Sequence, residues 1–254
     1  MSRVPIMAGN WKMNLGPTDA AVLARAIVQE TGQVTTVEQI LCPPFVSLPA
    51  VNDAVRGSAL RVGAQNAHAE PGGAFTGEVS APMLTGLADY VILGHSERRQ
   101  FCHETDGEVN AKLHAVLEAG LVPIVCVGES LAENQADQTR AVVTRQVQGA
   151  LANVTGADAG RLVIAYEPVW AIGSGLAATP EVAEEVCGEI IRILLADLYD
   201  GTVAETTRIL YGGSTSPGNI VSYMESPDID GALIGGSALK SDTYTAMVRL
   251  TAGG

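Results

Sequence analysis

Two parts of the sequence carry side chains that could perform acid–base chemistry, the segment Gly94-His95-Ser96-Glu97-Arg98-Arg99 and the carboxylate of Glu167. Glu167 directly follows an apolar run that ends at Tyr166, and a carboxylate in that position is costly to bury. We expect partial desolvation to raise the pKa of Glu167 toward neutrality, which suits a general base. His95 stands near a predicted helix start, where the positive end of the helix dipole disfavours imidazolium and leaves a neutral ring that can donate a hydrogen bond.

Lys12 adds a cation to this set. It is one of three lysines in the sequence, and it stands close to Asn10 at the end of the first apolar run, where it could bind an anionic substrate. Each candidate also has a purely structural explanation, which position alone leaves open. Lys12 could be a solvated loop lysine, the segment around His95 and Glu97 could be an ion-pair cluster that caps a helix, and Glu167 could belong to a buried ion pair.

Backbone N–H groups that could cradle a phosphate come from two glycine-rich turns, Gly212-Gly213-Ser214 and Gly235-Gly236. Residues 168–178, which we call the lid segment, are apolar although they precede a predicted helix cap at Thr179-Pro180. Loops are usually polar, so an apolar loop favours a lid over a site. The stretch Gly173-Ser174-Gly175-Leu176-Ala177-Ala178 imitates a dinucleotide fingerprint, but the helix begins too late for that motif.

Eight short apolar runs, rich in β-branched residues, must position these groups. They are residues 4–8, 38–41, 60–64, 90–93, 121–127, 162–166, 208–211 and 231–234. Continuous apolar runs indicate strands that are buried on both faces, as in parallel sheets. Helical patterns alternate with them, notably at 20–30 and after the capping box Thr105-Asp106-Gly107-Glu108. After Thr179-Pro180 a predicted apolar stripe follows at steps of four residues, formed by Val182, Val186, Ile190, Leu194 and Leu198.

Eight strands that alternate with helices over 254 residues predict an α/β fold, a (β/α)8 barrel of eight parallel strands ringed by helices. A doubly wound open sheet is the alternative. No linker rich in Pro, Gly or Ser interrupts the pattern, so we expect residues 1–254 to form a single domain. In a barrel the residues that follow the strands line the active face, so the polar residues after the first, fourth and sixth runs gain functional weight.

The composition excludes several classes of protein. The sequence has 28 acidic and 15 basic residues and a formal net charge of −13, which argues against non-specific binding to nucleic acid or to an anionic membrane. No apolar run approaches the roughly 18 residues of a membrane span, and the N-terminus lacks the pattern of a signal peptide. The four cysteines lack the spacing of a zinc site or a disulfide scaffold, so we expect reduced thiols in a cytoplasmic protein without a bound metal.

Several segments together resemble the triosephosphate isomerase family, whose fold is the TIM barrel. They are Ala8-Gly9-Asn10-Trp11-Lys12-Met13-Asn14, Gly63-Ala64-Gln65-Asn66, Phe75-Thr76-Gly77-Glu78-Val79-Ser80, Gly94-His95-Ser96-Glu97-Arg98-Arg99, Ala165-Tyr166-Glu167-Pro168-Val169-Trp170-Ala171-Ile172-Gly173, Tyr211-Gly212-Gly213-Ser214 and Asp230-Gly231. They follow the order found in the family. The resemblance implies an aldose–ketose isomerase of glycolysis and gluconeogenesis. It would interconvert dihydroxyacetone phosphate and D-glyceraldehyde 3-phosphate through an enediolate, with no cofactor and no metal.

The resemblance also implies a role for each candidate residue. Glu167 removes the proton next to the carbonyl, neutral His95 polarises the carbonyl and shuttles protons, and Lys12 supplies positive charge. Asn10 helps to orient the substrate, and Glu97 supports Lys12 and relays protons. The residues whose backbone N–H groups bind the phosphate are Gly173, Ser214, Gly235 and Gly236.

A homodimer is implied as well. In the family a long loop, which here spans residues 65–80 and carries Phe75 and Thr76, inserts into a neighbouring subunit near the position of Met13. The lid segment departs from the family's usual Gly-Thr-Gly-Lys-Thr-Ala, because Leu176 and Ala177 stand where a lysine and a threonine are common. We expect this departure to change the kinetics of the lid while the chemistry survives.

Two other functions remain open at this stage. A barrel aldolase or lyase that acts through a lysine Schiff base needs a lysine at the active face. Lys112 lies within a predicted helix, which leaves Lys12 or Lys240 for that role. A phosphate-ligand binder without catalysis would be signalled by the loss of Lys12, His95 or Glu167, and all three are present.

Overall fold

Eight parallel strands close into a barrel in the computed structural model, which describes residues 3–172 and 177–253. The strands are β1 Ile6–Asn10, β2 Glu38–Cys42, β3 Arg61–Ala64, β4 Tyr90–Leu93, β5 Val122–Val127, β6 Val163–Tyr166, β7 Arg208–Tyr211 and β8 Gly231–Ile234. Each strand pairs with its neighbour in chain order, and β8 closes the ring against β1. The expected (β/α)8 barrel is therefore confirmed, and the open sheet is wrong because it would leave two edge strands unpaired.

The strand boundaries lie within two residues of the predicted runs, and the largest difference is at β1. This strand begins at Ile6 rather than at residue 4 and continues to Asn10. Ile6 is in register with both Glu38 of β2 and Gly231 of β8, whereas Pro5 has no N–H to give to a ladder. Asn10 is consequently the last residue of a strand, and its side chain has a position fixed by the barrel.

Successive residues of each strand point alternately into two apolar layers. The layer inside the barrel comprises Ile6, Ala8, Ile40, Cys42, Tyr90, Ile92, Ile124, Cys126, Val163, Ala165, Leu210 and Leu233. Neighbouring strand residues, such as Met7, Leu41 and Val91, belong to the second layer, which packs beneath the helices. Both layers are buried, which explains why the strands appear in the sequence as continuous apolar runs.

Helices follow the strands and cover the outside of the barrel. In the part of the chain that the structure describes they are α1 Pro17–Thr31, α2 Leu48–Val55, α3 Ala81–Leu84, α4 Ser96–Phe101, α5 Asp106–Glu118, α6 Leu131–Gln135, α7 Thr139–Ala150, α8 Gly156–Ala159, α9 Pro180–Glu184, α10 Ile193–Leu198, α11 Gly201–Thr206, α12 Ile220–Met224 and α13 Ser241–Thr251. A π-helical stretch, Glu185–Arg192, joins α9 to α10. None of these helices is long and apolar enough to cross a membrane.

Two predicted helix starts are confirmed. Thr105 caps α5 and forms the expected capping box with Glu108. Thr179 caps α9 by accepting a hydrogen bond from the N–H of Val182, with Pro180 at the first helical position. The cap at Thr179 fixes the point where the lid segment ends and regular structure resumes.

The predicted apolar stripe after Thr179 is only partly confirmed. Val186 and Ile190 are buried, but Val182 and Leu198 at the two ends of the stripe are exposed. The middle of the stripe lies in the π-helical stretch Glu185–Arg192, which turns less per residue than the α-helices on either side, so one constant step cannot follow the buried face. The buried face is instead completed by residues between the steps, namely Ala183, Cys187, Ile191 and Leu195.

Candidate active site

A cavity of about 260 Å³ lies at the carboxyl ends of the strands. Its lining consists of Asn10, Lys12, His95, Glu167, Ile172, Gly212, Gly213, Ser214, Thr215, Leu233, Gly235, Gly236 and Ser237. These residues belong to β1, β6 to β8 and the turns that follow them, together with the turn after β4, as expected for the active end of a barrel. The volume suits a small metabolite and is too small for a dinucleotide.

Most of the predicted site residues come together here. Those that line the cavity are Asn10, Lys12, His95, Glu167, Ser214, Gly235 and Gly236. Glu97 does not line the cavity, but its carboxylate pairs with the ammonium ion of Lys12, which does. Gly173 lies outside the described residues, as do Ser174 and Leu176 of the departure in the lid segment. Met13, Phe75 and Thr76 are exposed on the outer surface, away from the cavity lining.

Glu167 follows β6 directly, and the residue is only 2% exposed. Its Oε2 accepts a hydrogen bond from the Ser96 N–H at 2.9 Å, and its Oε1 lies 3.0 Å from His95 Nε2. The buried Cys126 thiol lies against the same carboxylate. Its pKa is raised, mainly by burial and also by the negative charge of Glu167. The carboxylate is therefore held by two donors from the turn that leads into α4.

The expectation that desolvation raises the pKa of Glu167 is wrong in its net direction. Burial does act to raise this pKa, but His95, the Ser96 N–H and Lys12 together outweigh burial and hold it below its ordinary value of 4.5. These partners lie in the segments that follow β1 and β4, so the sequence around Glu167 gives no sign of them. Glu167 is consequently ionised at neutral pH in the free protein and able to accept a proton.

His95 is the N-cap of α4, and its two ring nitrogens have different partners. Nδ1 accepts a hydrogen bond from the Glu97 N–H at 3.2 Å, whereas Nε2 faces the Glu167 carboxylate. A nitrogen that accepts a hydrogen bond carries no proton, so the neutral ring bears its proton on Nε2. This tautomer presents a donor on the side of the ring where the base lies.

The protonation of His95 gives a first testable prediction. Burial lowers the pKa of His95, but the carboxylates of Glu167 and Glu97 outweigh burial and raise it above 6.5. We expect the Glu167→Gln variant to titrate His95 below 6.5, because burial then prevails. The stability that the pair contributes is present below pH 6.5 and is lost as the pH rises through the raised pKa.

NMR titration of the ring protons checks this prediction. The sequence has four histidines, and a His95→Gln variant identifies the resonance of interest. An identical His95 titration in the wild type and in Glu167→Gln would contradict the proposed coupling.

Lys12 has a strained backbone that neighbouring side chains hold in place. Its φ is +53°, in the left-handed region that residues with a Cβ disfavour. The Lys12 N–H donates to Asn10 Oδ1 at 3.0 Å, and its C=O accepts from Gln65 Nε2 at 2.8 Å. Its Nζ lies 2.5 Å from Glu97 Oε1. Asn10 and Gln65 thus fix the backbone of Lys12, and Glu97 fixes its ammonium ion at the cavity.

The turns after β7 and β8 form one wall of the cavity. The Ser237 hydroxyl donates to the Thr215 C=O at 2.8 Å and joins the two turns. Gly236 begins a 3₁₀ helix, so its N–H has no acceptor within that helix. A Cβ at Gly235 would lie 3.5 Å from Lys12 Cε, which places the lysine alongside this turn. A phosphate bound here would meet backbone N–H groups and an ammonium ion together.

Gly212 is a position where only glycine fits. A Cβ there would lie 2.8 Å from Glu167 Cγ and 3.1 Å from the Tyr166 carbonyl oxygen. A side chain at this position would therefore displace the carboxylate, which gives the first glycine of the turn a role beyond binding phosphate.

Glu129 and Gln65 belong to the site but were not singled out from the sequence. Glu129 is fully buried, and it accepts hydrogen bonds from Trp170 Nε1 at 2.8 Å and from the Tyr166 hydroxyl at 3.2 Å. It thereby holds the start of the lid segment. Glu129 follows β5 and Gln65 follows β3, so the rule that selected polar residues after the other strands would have found both.

The lysines decide against a Schiff-base mechanism. Lys112 is buried in α5, where it pairs with Glu104, and Lys240 is exposed just before α13. Lys12 is ion-paired, and an ammonium ion lacks the lone pair that attacks a carbonyl. Within residues 3–172 and 177–253, no group of three His, Cys, Asp or Glu side chains is arranged to hold a metal ion.

Comparisons with known proteins agree with one another. A family model described as triosephosphate isomerase matches residues 5–251. The triosephosphate isomerase of Rhodopirellula baltica is 51% identical over 98% of both chains. That of Carboxydothermus hydrogenoformans is 50% identical over 97% of this chain and 98% of its own length. That of Acetivibrio thermocellus is 49% identical over 98% of this chain and 99% of its own length.

Proposed function

Because the chain belongs to the triosephosphate isomerase family, we propose that Glu167, His95 and Lys12 carry out the interconversion of dihydroxyacetone phosphate and D-glyceraldehyde 3-phosphate. The chain is an isomerase of glycolysis, and its substrate is a phosphorylated triose. One observation supports these residue assignments above the others. A buried ionised carboxylate, an imidazole and an ammonium ion line the same small cavity, beside two glycine-rich turns. A coupled assay of glyceraldehyde 3-phosphate isomerisation on wild type and Glu167→Gln tests the proposal.

Glu167 is the base in this mechanism. It takes a proton from the carbon next to the carbonyl of dihydroxyacetone phosphate, and the electron pair of that C–H bond forms the enediolate. In the free protein both carboxylate oxygens are engaged, by Ser96 and His95, so Glu167 exchanges these contacts for the substrate. Return of the proton to the neighbouring carbon, together with transfer of the hydroxyl proton from one enediolate oxygen to the other through His95, completes the isomerisation, so a single carboxylate serves both half-reactions.

His95 and Lys12 stabilise the negative oxygen that forms. The Nε2–H of neutral His95 donates to the substrate oxygen and can return a proton to either enediolate oxygen. When Glu167 turns to the substrate, His95 loses the contact that raises its pKa, which keeps the ring neutral during the reaction. Fixed donors aimed at a developing oxyanion are each worth about 3 kcal/mol in a dry site.

Asn10 and Glu97 act through Lys12. Asn10 accepts the hydrogen bond that fixes the strained lysine backbone, and Glu97 holds the ammonium ion in place. We assign the substrate phosphate to the N–H groups of Ser214, Gly235 and Gly236, with Gly173 added by family resemblance alone. The lid segment excludes water, because an exposed enediolate phosphate can eliminate its phosphate group.

We also propose that the protein acts as a homodimer. Each of the first four strands is followed by turns or short helices that expose large apolar side chains. They are Met13, Val46, Phe75, Met83 and Phe101, with Met13 94% and Phe101 69% exposed. Exposed apolar groups concentrated on one part of a surface are typical of an interface. Thr76, exposed beside Phe75, would contact the partner near its Met13.

An aspartate at position 75 tests the dimer. We expect Phe75→Asp to raise the dimer dissociation constant at least about 30-fold, since losing a buried aromatic anchor costs roughly 2 kcal/mol or more. Sedimentation velocity over a range of concentrations measures it. Val22→Asp is the matched control, because Val22 is exposed on α1, outside that group of segments. Equal dissociation constants for the two variants would contradict this interface.

The surroundings of the protein follow from the same proposal. We place it in the cytoplasm, because all four cysteines are free thiols and burial raises the pKa of Cys42 to about 12. The net charge of −13 supports a partner list limited to the triose phosphate and a second copy of the chain, without nucleic acid or membrane. We treat residues 1–254 as one domain.

A further inference from the structure

Tyr223 is a buried tyrosine with no part in the mechanism above. It lies in α12 and is only 2% exposed, and it does not line the cavity. Its ring stacks on that of Tyr211, the last residue of β7, with ring centroids 4.2 Å apart and an interplanar angle of 19°. A buried phenol needs partners for its hydroxyl, and those partners show what Tyr223 can do.

Both tyrosine hydroxyls bind the backbone of one residue, Ala178. The Tyr223 hydroxyl donates to the Ala178 C=O at 2.5 Å. The Ala178 N–H donates to the Tyr211 hydroxyl at 3.1 Å. Ala178 is 2% exposed and is the last residue of the lid segment, directly before the helix cap at Thr179. The two phenols therefore hold the backbone where this segment rejoins the barrel.

The two phenols thus bind opposite sides of one peptide, one accepting from the Ala178 N–H and the other donating to the Ala178 C=O. Because their rings are stacked, the two hydroxyls reach this peptide from one packed aromatic pair. Burial raises the pKa of both tyrosines, so both phenols keep their protons at neutral pH.

The turn after β7 leaves room for the Tyr211 hydroxyl. A Cβ at Gly213 would lie 2.1 Å from the Tyr211 hydroxyl oxygen and 2.4 Å from the carbon that bears it. Any side chain at position 213 would push the hydroxyl away from Ala178. The second glycine of the turn is therefore required by Tyr211, whereas the first is required by Glu167.

We propose that Tyr223 is a positioning residue for the isomerisation, which acts with Tyr211 to fix the Ala178 peptide and hence the end of the lid segment. The inference rests on the proposed role of that segment over the substrate phosphate. Phenylalanine at position 223 would keep the stacking but leave the buried Ala178 C=O without its donor. A buried carbonyl without a partner is costly, so we expect the Ala178 peptide to shift and its N–H to bind Tyr211 less well.

The Tyr223→Phe variant tests this role, with Tyr199→Phe as its matched control. Tyr199 also donates to a backbone carbonyl, that of Leu151, and lies outside the cavity lining. We expect Tyr223→Phe to lower kcat/KM for glyceraldehyde 3-phosphate about 10-fold, and Tyr199→Phe to change it less than twofold. D-Glyceraldehyde, which lacks the phosphate, is the second substrate. We expect all three proteins to isomerise it at the same rate, because no phosphate is there to be covered.

A double-mutant cycle and amide exchange complete the test. We expect Tyr211→Phe and Tyr223→Phe to be non-additive, because both hydroxyls bind the same Ala178 peptide. Hydrogen exchange of the Ala178 N–H should be slow in the wild type and faster in Tyr223→Phe. Additive effects, a fast wild-type amide, or equal losses on both substrates would overturn the proposal. Absence of turnover in wild type and Tyr199→Phe alike would contradict the proposed function instead.

Discussion

Glutamine in place of Glu167 lowers kcat for glyceraldehyde 3-phosphate by at least about 10³-fold, a loss of roughly 4 kcal/mol of transition-state stabilisation. An amide has nearly the shape of a carboxylate but cannot accept the proton that the reaction removes from carbon. Its carbonyl oxygen can still accept the Ser96 N–H, so we expect the variant to fold as the wild type does. The coupled assay, run with both proteins side by side, measures the effect.

Glu118→Gln provides the matched control for that experiment. Glu118 is the exposed last residue of α5, so the same chemical change occurs far from the cavity, and we expect wild-type kcat. Wild-type turnover by Glu167→Gln would remove Glu167 from the role of base. A folded dimeric wild type without turnover would instead favour a binding protein and direct attention to the altered residues of the lid segment.

The barrel could be predicted from the sequence because both faces of its strands are buried. That double burial turns each strand into an uninterrupted apolar run, and eight such runs alternating with helices leave few architectures. The same reasoning placed the strand ends to within two residues. It failed along α9 and α10, where Val182 and Leu198 are exposed, because the π-helical stretch between these helices changes the turn per residue.

The candidate residues could also be found from the sequence, but their electrostatics could not. Residue type and position after a strand selected Lys12, His95 and Glu167. The pKa of Glu167 depends on His95 and on the Ser96 N–H, which are 72 and 71 positions away in the chain and become neighbours only when the barrel closes. Tyr223 escaped for the same reason, since it acts on the backbone of a distant residue.

Lys12→Met lowers kcat/KM for glyceraldehyde 3-phosphate by about 10³-fold. Two unit charges about 4 Å apart interact by roughly 4 kcal/mol at the effective dielectric constant of about 20 that suits a partly buried site. Methionine keeps a Cβ and a similar length, so the strain at φ +53° is unchanged and only the charge is lost. Lys240→Met is the control, because Lys240 is exposed and does not line the cavity.

The negative charge of Glu97 contributes to the loss of activity expected in Lys12→Met. In Lys12→Met its carboxylate, formerly 2.5 Å from the ammonium ion, becomes an unpaired negative charge close to an anionic substrate. We therefore expect the double variant Lys12→Met with Glu97→Gln to be more active than Lys12→Met alone, by about 5- to 10-fold in kcat/KM. The chain carries a net charge of −13, so catalysis on a phosphate ester depends on a positive potential that is local to the cavity. No recovery in the double variant would mean that Glu97 matters only for holding Lys12, and that its own charge does not reach the substrate.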